Sequence, residues 1–421
     1  MKTARDFLLA ARRCEIRDLE KLAQSCALVL AVGELVHGLQ RERGSSQIFL
    51  VSGGQRFGPE LEACIRDSLA SEARLLAWAD GLEADGDFTG GMRLLTRVAI
   101  VVEGLEGLPG LRETLRARRC SGADAMQQYT QRISALLALI FEVADVAADP
   151  EVSRQLVALF NLIQGKEFAG QERAAGAGAL SAGRCGEQGA QRLLHLQEQQ
   201  ELCLQRFEAF CAADILPRWR ALQARMPLAE LERLRRTLAT ATEDFDPALT
   251  DLWFELCSRR LDQIHLVEAH LAEQLKQTCE RRIAASRAEL ERQQAMPIAP
   301  PATPPAPLAV LLAGGECADA GEDGLLLGAS LGPQVTRSMM DYMQAQSARL
   351  QTLGDELAAV RATLTERKLV ERAKGLLMEH QGLDEGAAYR LLRQTAMNQN
   401  RRIADVAQTV LSMAELLPPR R

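Results

Sequence analysis

The chain has 421 residues, enough for two or three domains at roughly 150 residues each. Aromatic residues make up only 4% and no sustained apolar–polar alternation of the strand kind occurs, so the composition points to helices. The net charge of −6 is uneven: from Gln334 onward 13 Lys and Arg stand against 10 Asp and Glu, which sets a mildly basic tail on an acidic body, the balance a nucleic-acid-reading tail needs.

Ten cysteines are scattered without CxxC or Cys/His spacing, which excludes a zinc motif and assigns them no chemistry. No uninterrupted apolar run approaches the ~20 residues of a membrane span, and the N-terminus, with Lys2, Arg5 and Asp6, has no secretory pattern. The expectation is a cytoplasmic protein with no membrane partner.

The first predicted element is one long helix over residues 1 to about 52, stopped by Ser52-Gly53-Gly54. Ile16, Leu19, Leu22, Cys26, Val29, Gly33 and Val36 recur at three-and-four spacing, one stripe of a helix set against a core. Carried forward, the stripe reads Gln40, Arg43, Gln47 and Leu50. A guanidinium and two amides thus fall where hydrocarbon was packing. An arginine buried unpaired is costly, so Arg43 requires a carboxylate, with Glu42 a candidate, or an oxyanion suited to its planar fork of donors.

Helical patterns follow over 59–80, 91–105 and about 122–145, with 81–91 and 104–110 as connections, the arrangement of a helical bundle. The next helix, Leu156 to Leu180, carries a stripe through Leu159, Ile163, Lys166, Gly170, Arg173 and Ala177. Two cations again sit at apolar spacing among small residues. A stripe shifted by one, through Phe160, Glu167 and Ala174, reads nearly as well, and then Lys166 and Arg173 are flank residues paired with Glu167 and Glu172. If the two helices pack side by side, Glu42-Arg43-Gly44 and Glu172-Arg173-Ala174 bring two guanidiniums together, and a bound anion is the economical way to hold them.

Further helices are predicted over 191–215, 218–226, 228–240 and 247–292, carrying lone histidines that read as ordinary core or surface residues. Six of the 15 prolines crowd into Pro297 to Pro307, before a glycine-rich acidic stretch, so 296–333 reads as a linker. Over 334–364 the spacing Met339, Met343, Gln346, Leu350, Leu353, Leu357, Val360 and Leu364 is a coiled-coil seam, pointing to a homodimer; a helix packed within the monomer is the alternative. Three short helices close the chain at 364–380, 384–398 and 401–417, with a dense basic set. Such a set is either a solvated face or a nucleic-acid surface. Met378, Leu392 and Met397 are expected in the core of this unit.

Two stretches carry a family resemblance. His37 to Ser46 and Asn161 to Ala174 resemble the two signature segments of the NIT domain, a helical nitrate- and nitrite-sensing module, over roughly residues 15–290. The resemblance implies an anion site containing Arg43 and Arg173, beside Gln40 and Lys166, with a third arginine among Arg233, Arg235 and Arg236, of which Arg236 is chosen. Glu371 to Met378, Ala387 to Met397 and Asn400 to Ala407 resemble the ANTAR domain, an RNA-binding antitermination module, over 357–417. That implies binding of a two-hairpin leader RNA as a dimer through the coiled coil and tail, for which Lys374, Arg393, Asn398, Arg401 and Arg402 are the candidate contacts.

The fold expected is therefore all-α: a helical-bundle sensor over 1–295, the linker, a coiled-coil helix and a C-terminal three-helix bundle. The order of parts resembles the nitrate-responsive antiterminators that act upstream of nitrate assimilation genes, non-enzymes that take nitrate or nitrite as effector and no cofactor. Two other readings stay open. One is an anion-binding signalling protein whose output is not RNA, or a scaffold whose arginines are only ion pairs; the other is an enzyme using Glu42 and Glu172 as paired carboxylates.

Overall fold

The computed structural model describes residues 4–81, 91–146, 149–240, 245–246, 248–295, 365–366, 368–383, 385–399 and 401–414. Among these residues there is no strand, in keeping with the all-α expectation.

The first helix, α1 (Ala4–Val51), stops where its sequence says it should. Gly53 and Gly54 take φ of 63° and 85°, and the Gly54 amide reaches back to the Phe49 carbonyl at 2.8 Å. Helix α2 (Gly58–Asp80) follows, then α3 (Gly91–Glu106) and α4 (Leu108–Arg116). Only Gly107 separates α3 from α4, so the stretch 104–110 is nearly all helix rather than a connection. Its glycines make room for Arg132 of α5 (Gly122–Val146): Arg132 Nε donates to the Gly104 carbonyl at 2.8 Å, and a Cβ on Gly107 would stand 2.8 Å from the same guanidinium.

The central helix, α6 (Pro150–Ser181), begins at Pro150 rather than Leu156 because Asp149 caps it, accepting from the Val152 amide at 3.1 Å. It packs against α1 and α5 and against two later helices, α7 (Glu187–Phe210) and α10 (Leu249–Ala295). Between those two come α8 (Leu216–Arg225) and α9 (Leu228–Thr240). With neighbours on every side, α6 is interior all round. The stripe through Lys166 and Arg173 and the shifted stripe through Glu167 and Ala174 are both buried. The main core joins Leu35 and Leu39 of α1, Tyr129 and Ile140 of α5, and Val157 and Leu162 of α6; a smaller one gathers Leu180, Leu238 and Trp253.

By length and composition α1 is long and apolar enough, over Leu9–Val51, to cross a membrane, and half of its most apolar window is buried here. Gln24, Ser25 and Glu34 interrupt that stretch, so it contains no unbroken apolar run of membrane-spanning length. The helix packs against α2, α5, α6 and α10, as a core helix does.

The linker (296–333) and coiled-coil helix (334–364) expected from the sequence lie outside the described residues. The tail is formed by α11 (residues 368–381), α12 (Glu385–Gln399) and α13 (Ile403–Ala414) around Ala373, Leu377, Ala388, Leu392, Val406 and Leu411. Leu392 is in this core as expected, whereas Met378 and Met397 are 40% and 66% exposed. Each methionine stands one residue beyond a buried one, Leu377 and Ala396, and so is turned about 100° round its helix, away from the core.

Candidate anion site and nucleic-acid interface

Where α1 crosses α6, glycines let each helix carry the other's arginine. A Cβ on Gly44 would stand 2.7 Å from Arg173 Cζ, and a Cβ on Gly170 would stand 2.7 Å from a terminal nitrogen of Arg43. Both arginines are buried, at 1% exposure for Arg43 and 3% for Arg173, but their surroundings differ. Glu167 accepts from the two terminal nitrogens of Arg43 at 2.5 and 3.0 Å, and Thr130 accepts a further bond at 3.0 Å. Arg173 has no carboxylate at ion-pair distance among the described residues. It donates to the Gln40 carbonyl and the Ser258 hydroxyl, both at 2.8 Å, and lies 4.8 Å over the Phe254 ring.

Burial, and next the nearby charge of Arg43, lower the Arg173 pKa to about 10. The Nε–H of each arginine is buried without a partner, and so is Oε1 of Gln40, whose Nε2 donates to Glu167 at 2.9 Å. With one carboxylate for two guanidiniums, and that one paired with Arg43, a positive charge and two Nε–H donors are left unmet in the interior. A small planar oxyanion supplies both the charge and the acceptors.

The other buried charges nearby are matched. Glu42, the residue expected beside Arg43, faces the opposite way: Arg112 of α4 clamps it at 2.9 and 3.1 Å, Tyr129 donates at 2.9 Å, and the Ser68 hydroxyl completes the cage. Glu172 receives Arg235 at 2.7 Å on each oxygen, Gln197 at 3.0 Å and Gln200 at 2.7 Å. The two carboxylates share no partner and every oxygen is engaged, so an acid–base couple built on Glu42 and Glu172 loses its geometric basis. Lys166 pairs with Glu268 rather than with Glu167. Arg236 lies on the exposed face of α9, and it is Arg235 that turns inward.

In the tail, Arg393, Asn398, Arg401 and Arg402 are exposed on α12 and the turn after it. Arg402 reaches Glu366 at 3.1 Å, and Asn398 accepts from Gln394 at 3.0 Å. Lys374 departs from expectation: it is only 7% exposed and donates to both oxygens of Glu371, one turn back, at 3.0 Å. The tail lies against the first bundle. Arg393 pairs with Glu198 of α7 at 2.7 Å, Tyr389 meets the His195 ring with centroids 5.5 Å apart, and Lys368 stands 5.5 Å over Phe141 of α5.

The profile of the NIT family, described as nitrate and nitrite sensing, matches residues 34–276, more than half of the chain. The chain belongs to the NIT family. A second profile, that of the ANTAR domain, matches residues 358–411. The nitrate regulatory protein of Klebsiella oxytoca is 32% identical over 414 residues, covering 98% of this chain and 95% of that protein. Among solved structures, that of the NasR transcription antiterminator is similar over 98% of this chain and 99% of its own, with 29% identity and a TM-score of 0.60.

Both NIT signature stretches meet at the α1–α6 crossing, and next to it lies a group that the sequence did not single out. His37 of α1 stacks on His265 of α10, with centroids 3.8 Å apart and planes 5° from parallel. His265 contacts Glu268 at 3.2 Å and stands 3.9 Å from Glu34. Burial, then the charges of Lys166, His265, Arg41 and Arg173, lower the His37 pKa to about 2. Between that value and the usual 6.5 the unfolded chain takes up a proton that the folded NIT bundle refuses, so stability is full above pH 6.5 and falls as the pH drops below it. The slope from this one group is about 1.4 kcal/mol per pH unit, or about 2 kcal/mol between pH 6.5 and 5. Urea midpoints of the parent and of His37→Leu at pH 7.5 and 5 check this; an equal loss in both proteins would clear His37 of the role.

Proposed function

We propose that nitrate or nitrite binds at the α1–α6 crossing, held by Arg173 with Arg43 and Gln40 beside it, and that binding controls the RNA affinity of the tail. The chain is a nitrate-responsive antitermination regulator. It holds a two-hairpin leader RNA and prevents terminator formation upstream of nitrate assimilation genes, as a cytoplasmic homodimer without catalytic activity or cofactor. Arg393, Asn398, Arg401 and Arg402 are the RNA contacts, and Lys374 braces α11 through Glu371. Lys166 and Arg235 support the sensor from their own carboxylates.

One observation carries the sensor half: a buried guanidinium without a carboxylate, against a second that has one. The anion must favour one packing of the sensor over another, because a ligand with equal affinity for both shifts nothing. A chain of side-chain contacts supports a route from this site to the tail. Glu172, next to Arg173, is held by Gln197 and Gln200 of α7, and Glu198 between them holds Arg393. A small shift of α6 against α7 therefore reaches the surface on which the tail lies, which supports release of the tail over transmission through a linker.

The test is the affinity of the full-length protein for a two-hairpin leader RNA with sodium nitrate and with sodium chloride. Nitrate is expected to tighten binding by about tenfold, a coupling of about 1.4 kcal/mol. Equal affinity in the two salts would remove the coupling. Glu198→Lys is expected to raise the nitrate-free affinity about two- to fivefold, since an exposed ion pair contributes little and its reversal adds modest repulsion. Titrating labelled leader RNA against the variant measures it, and an unchanged value would mean that the α7 contact does not hold the tail.

A further inference from the structure

Arg173 is 3% exposed. Gly44 covers one side of its guanidinium, and Phe254 and Ser258 of α10 cover another. Those same two residues line an open cleft between the α1–α2 turn and α10, with Arg56, Phe57, Asp251 and Asp262 around them. Phe254 and Ser258 are therefore a wall one side chain thick between solvent and the unmatched cation.

We infer that the anion reaches Arg173 through this cleft, past the Phe57–Phe254 pair, and that Asp262 is the carboxylate it competes with there. This rests on the anion site proposed above.

The charges of the cleft support both parts. Arg56 pairs with Asp251 across its mouth, and Arg259 pairs with Glu255 one turn along α10 at 2.6 Å. Asp262 lines the cleft one turn of α10 beyond Ser258, the residue that accepts from Arg173, and has no ion pair among the described residues; its charge favours the Arg173 cation against burial. A carboxylate on the wall of the approach repels an incoming anion and so weakens the hold of the cation behind it. The cover is built from Phe57, held at φ 63°, a left-handed conformation that an aromatic residue rarely adopts. That conformation sets its ring edge-on to Phe254, with centroids 5.2 Å apart and planes at 83°. Away from the cleft, Glu167, Gln40 and Thr130 close the crossing from the interior. The indole N–H of Trp253 donates to the Arg173 carbonyl at 2.9 Å, which places a fluorescent reporter on the backbone of the binding residue.

The experiment is stopped-flow tryptophan emission of the full-length protein mixed with sodium nitrate, for the parent, Phe57→Gly, Asp262→Asn and Arg173→Met. Glycine suits the left-handed backbone, so Phe57→Gly removes the ring without disturbing the turn. It is expected to speed association and dissociation together and leave Kd within about twofold, as removal of a barrier does. Asp262→Asn is expected to lower Kd by about fivefold, mainly through faster association and less so at high salt. If both variants keep the parent's rates and Kd while Arg173→Met loses binding, the anion site stands and this route is wrong. If the parent gives no nitrate signal by emission and no heat by calorimetry, the site falls and the route with it.

Discussion

Arg173→Met is expected to raise the thermal midpoint of the nitrate-free protein by several degrees while abolishing its response to nitrate. The reason is the absence of a counter-charge. A buried ion replaced by a hydrocarbon of similar length often leaves a protein more stable by about 1–4 kcal/mol even when the ion was paired, and Arg173 is not. At about 2–4 °C for each kcal/mol in a bundle of this size, the midpoint moves up by roughly 2–16 °C. What methionine leaves unbonded is minor: the Ser258 hydroxyl lies in the open cleft, and the Gln40 carbonyl belongs to a helix. Nitrate stabilises the parent by mass action and has nothing to bind in the variant.

Arg43→Ala should behave in the opposite sense. It strands Glu167, 1% exposed, with only the amides of Gln40 and Gln171, and breaking a buried pair from one side costs about 3–5 kcal/mol. Melting curves of both variants in nitrate and in chloride separate the two roles. Parallel falls in midpoint would mean that both arginines are structural and that the unmatched charge is not the binding feature.

The sequence made the elements and half of the crossing legible, for a reason that can be named. On α1 the three-and-four spacing runs through Arg43 without a slip because one face of that helix is packed continuously, so a charge in the stripe stands out. On α6 the same spacing fits a second, shifted stripe nearly as well, because a helix buried all round has no polar face to fix the register. Lys166, Glu167, Glu172 and Arg173 could therefore be seen as charges in a core but not sorted into pairs. Their actual partners, Glu268, Arg43 and Arg235, come from other helices, and no local spacing encodes such choices.

The choice of Arg236 over Arg235 fails on the same ground. Adjacent residues on a helix point about 100° apart, and only the placement of α9 against α6 and α7 decides which one turns inward. In the tail, the resemblance and its charge nominated Lys374, but its side chain lies along α11 against Glu371, whereas Arg393, Arg401 and Arg402 are exposed. The clearest omission is Arg112. It sits on α4, a helix of nine residues just past a glycine-bearing stretch that reads as a connection, too short for periodicity to declare itself.

Arg112→Ala is for that reason the more demanding test of the fold. The guanidinium bridges two buried carboxylates, Glu42 at 0% and Glu72 at 7% exposure, and donates to the Ser68 hydroxyl at 3.3 Å. Desolvation alone would lower its pKa, yet the charges and hydrogen bonds of Glu42 and Glu72 raise it, which marks a cation bound more firmly in the folded state than in water. Removing it leaves Glu42 with two hydroxyls, Tyr129 and Ser68, in place of a counter-charge. The expected loss is about 3–5 kcal/mol, a large part of the ~5–15 kcal/mol that holds a domain together. Urea unfolding at pH 7.5 measures it, and Arg112→Ala combined with Glu42→Gln should recover part of the loss, because the stranded charge is then gone. The cage lies on the side of α1 away from Arg173, so the nitrate affinity of whatever fraction remains folded should stay close to the parent's. A loss under 1 kcal/mol, or a double variant no better than the single, would mean that Glu42 is held by something other than this arginine.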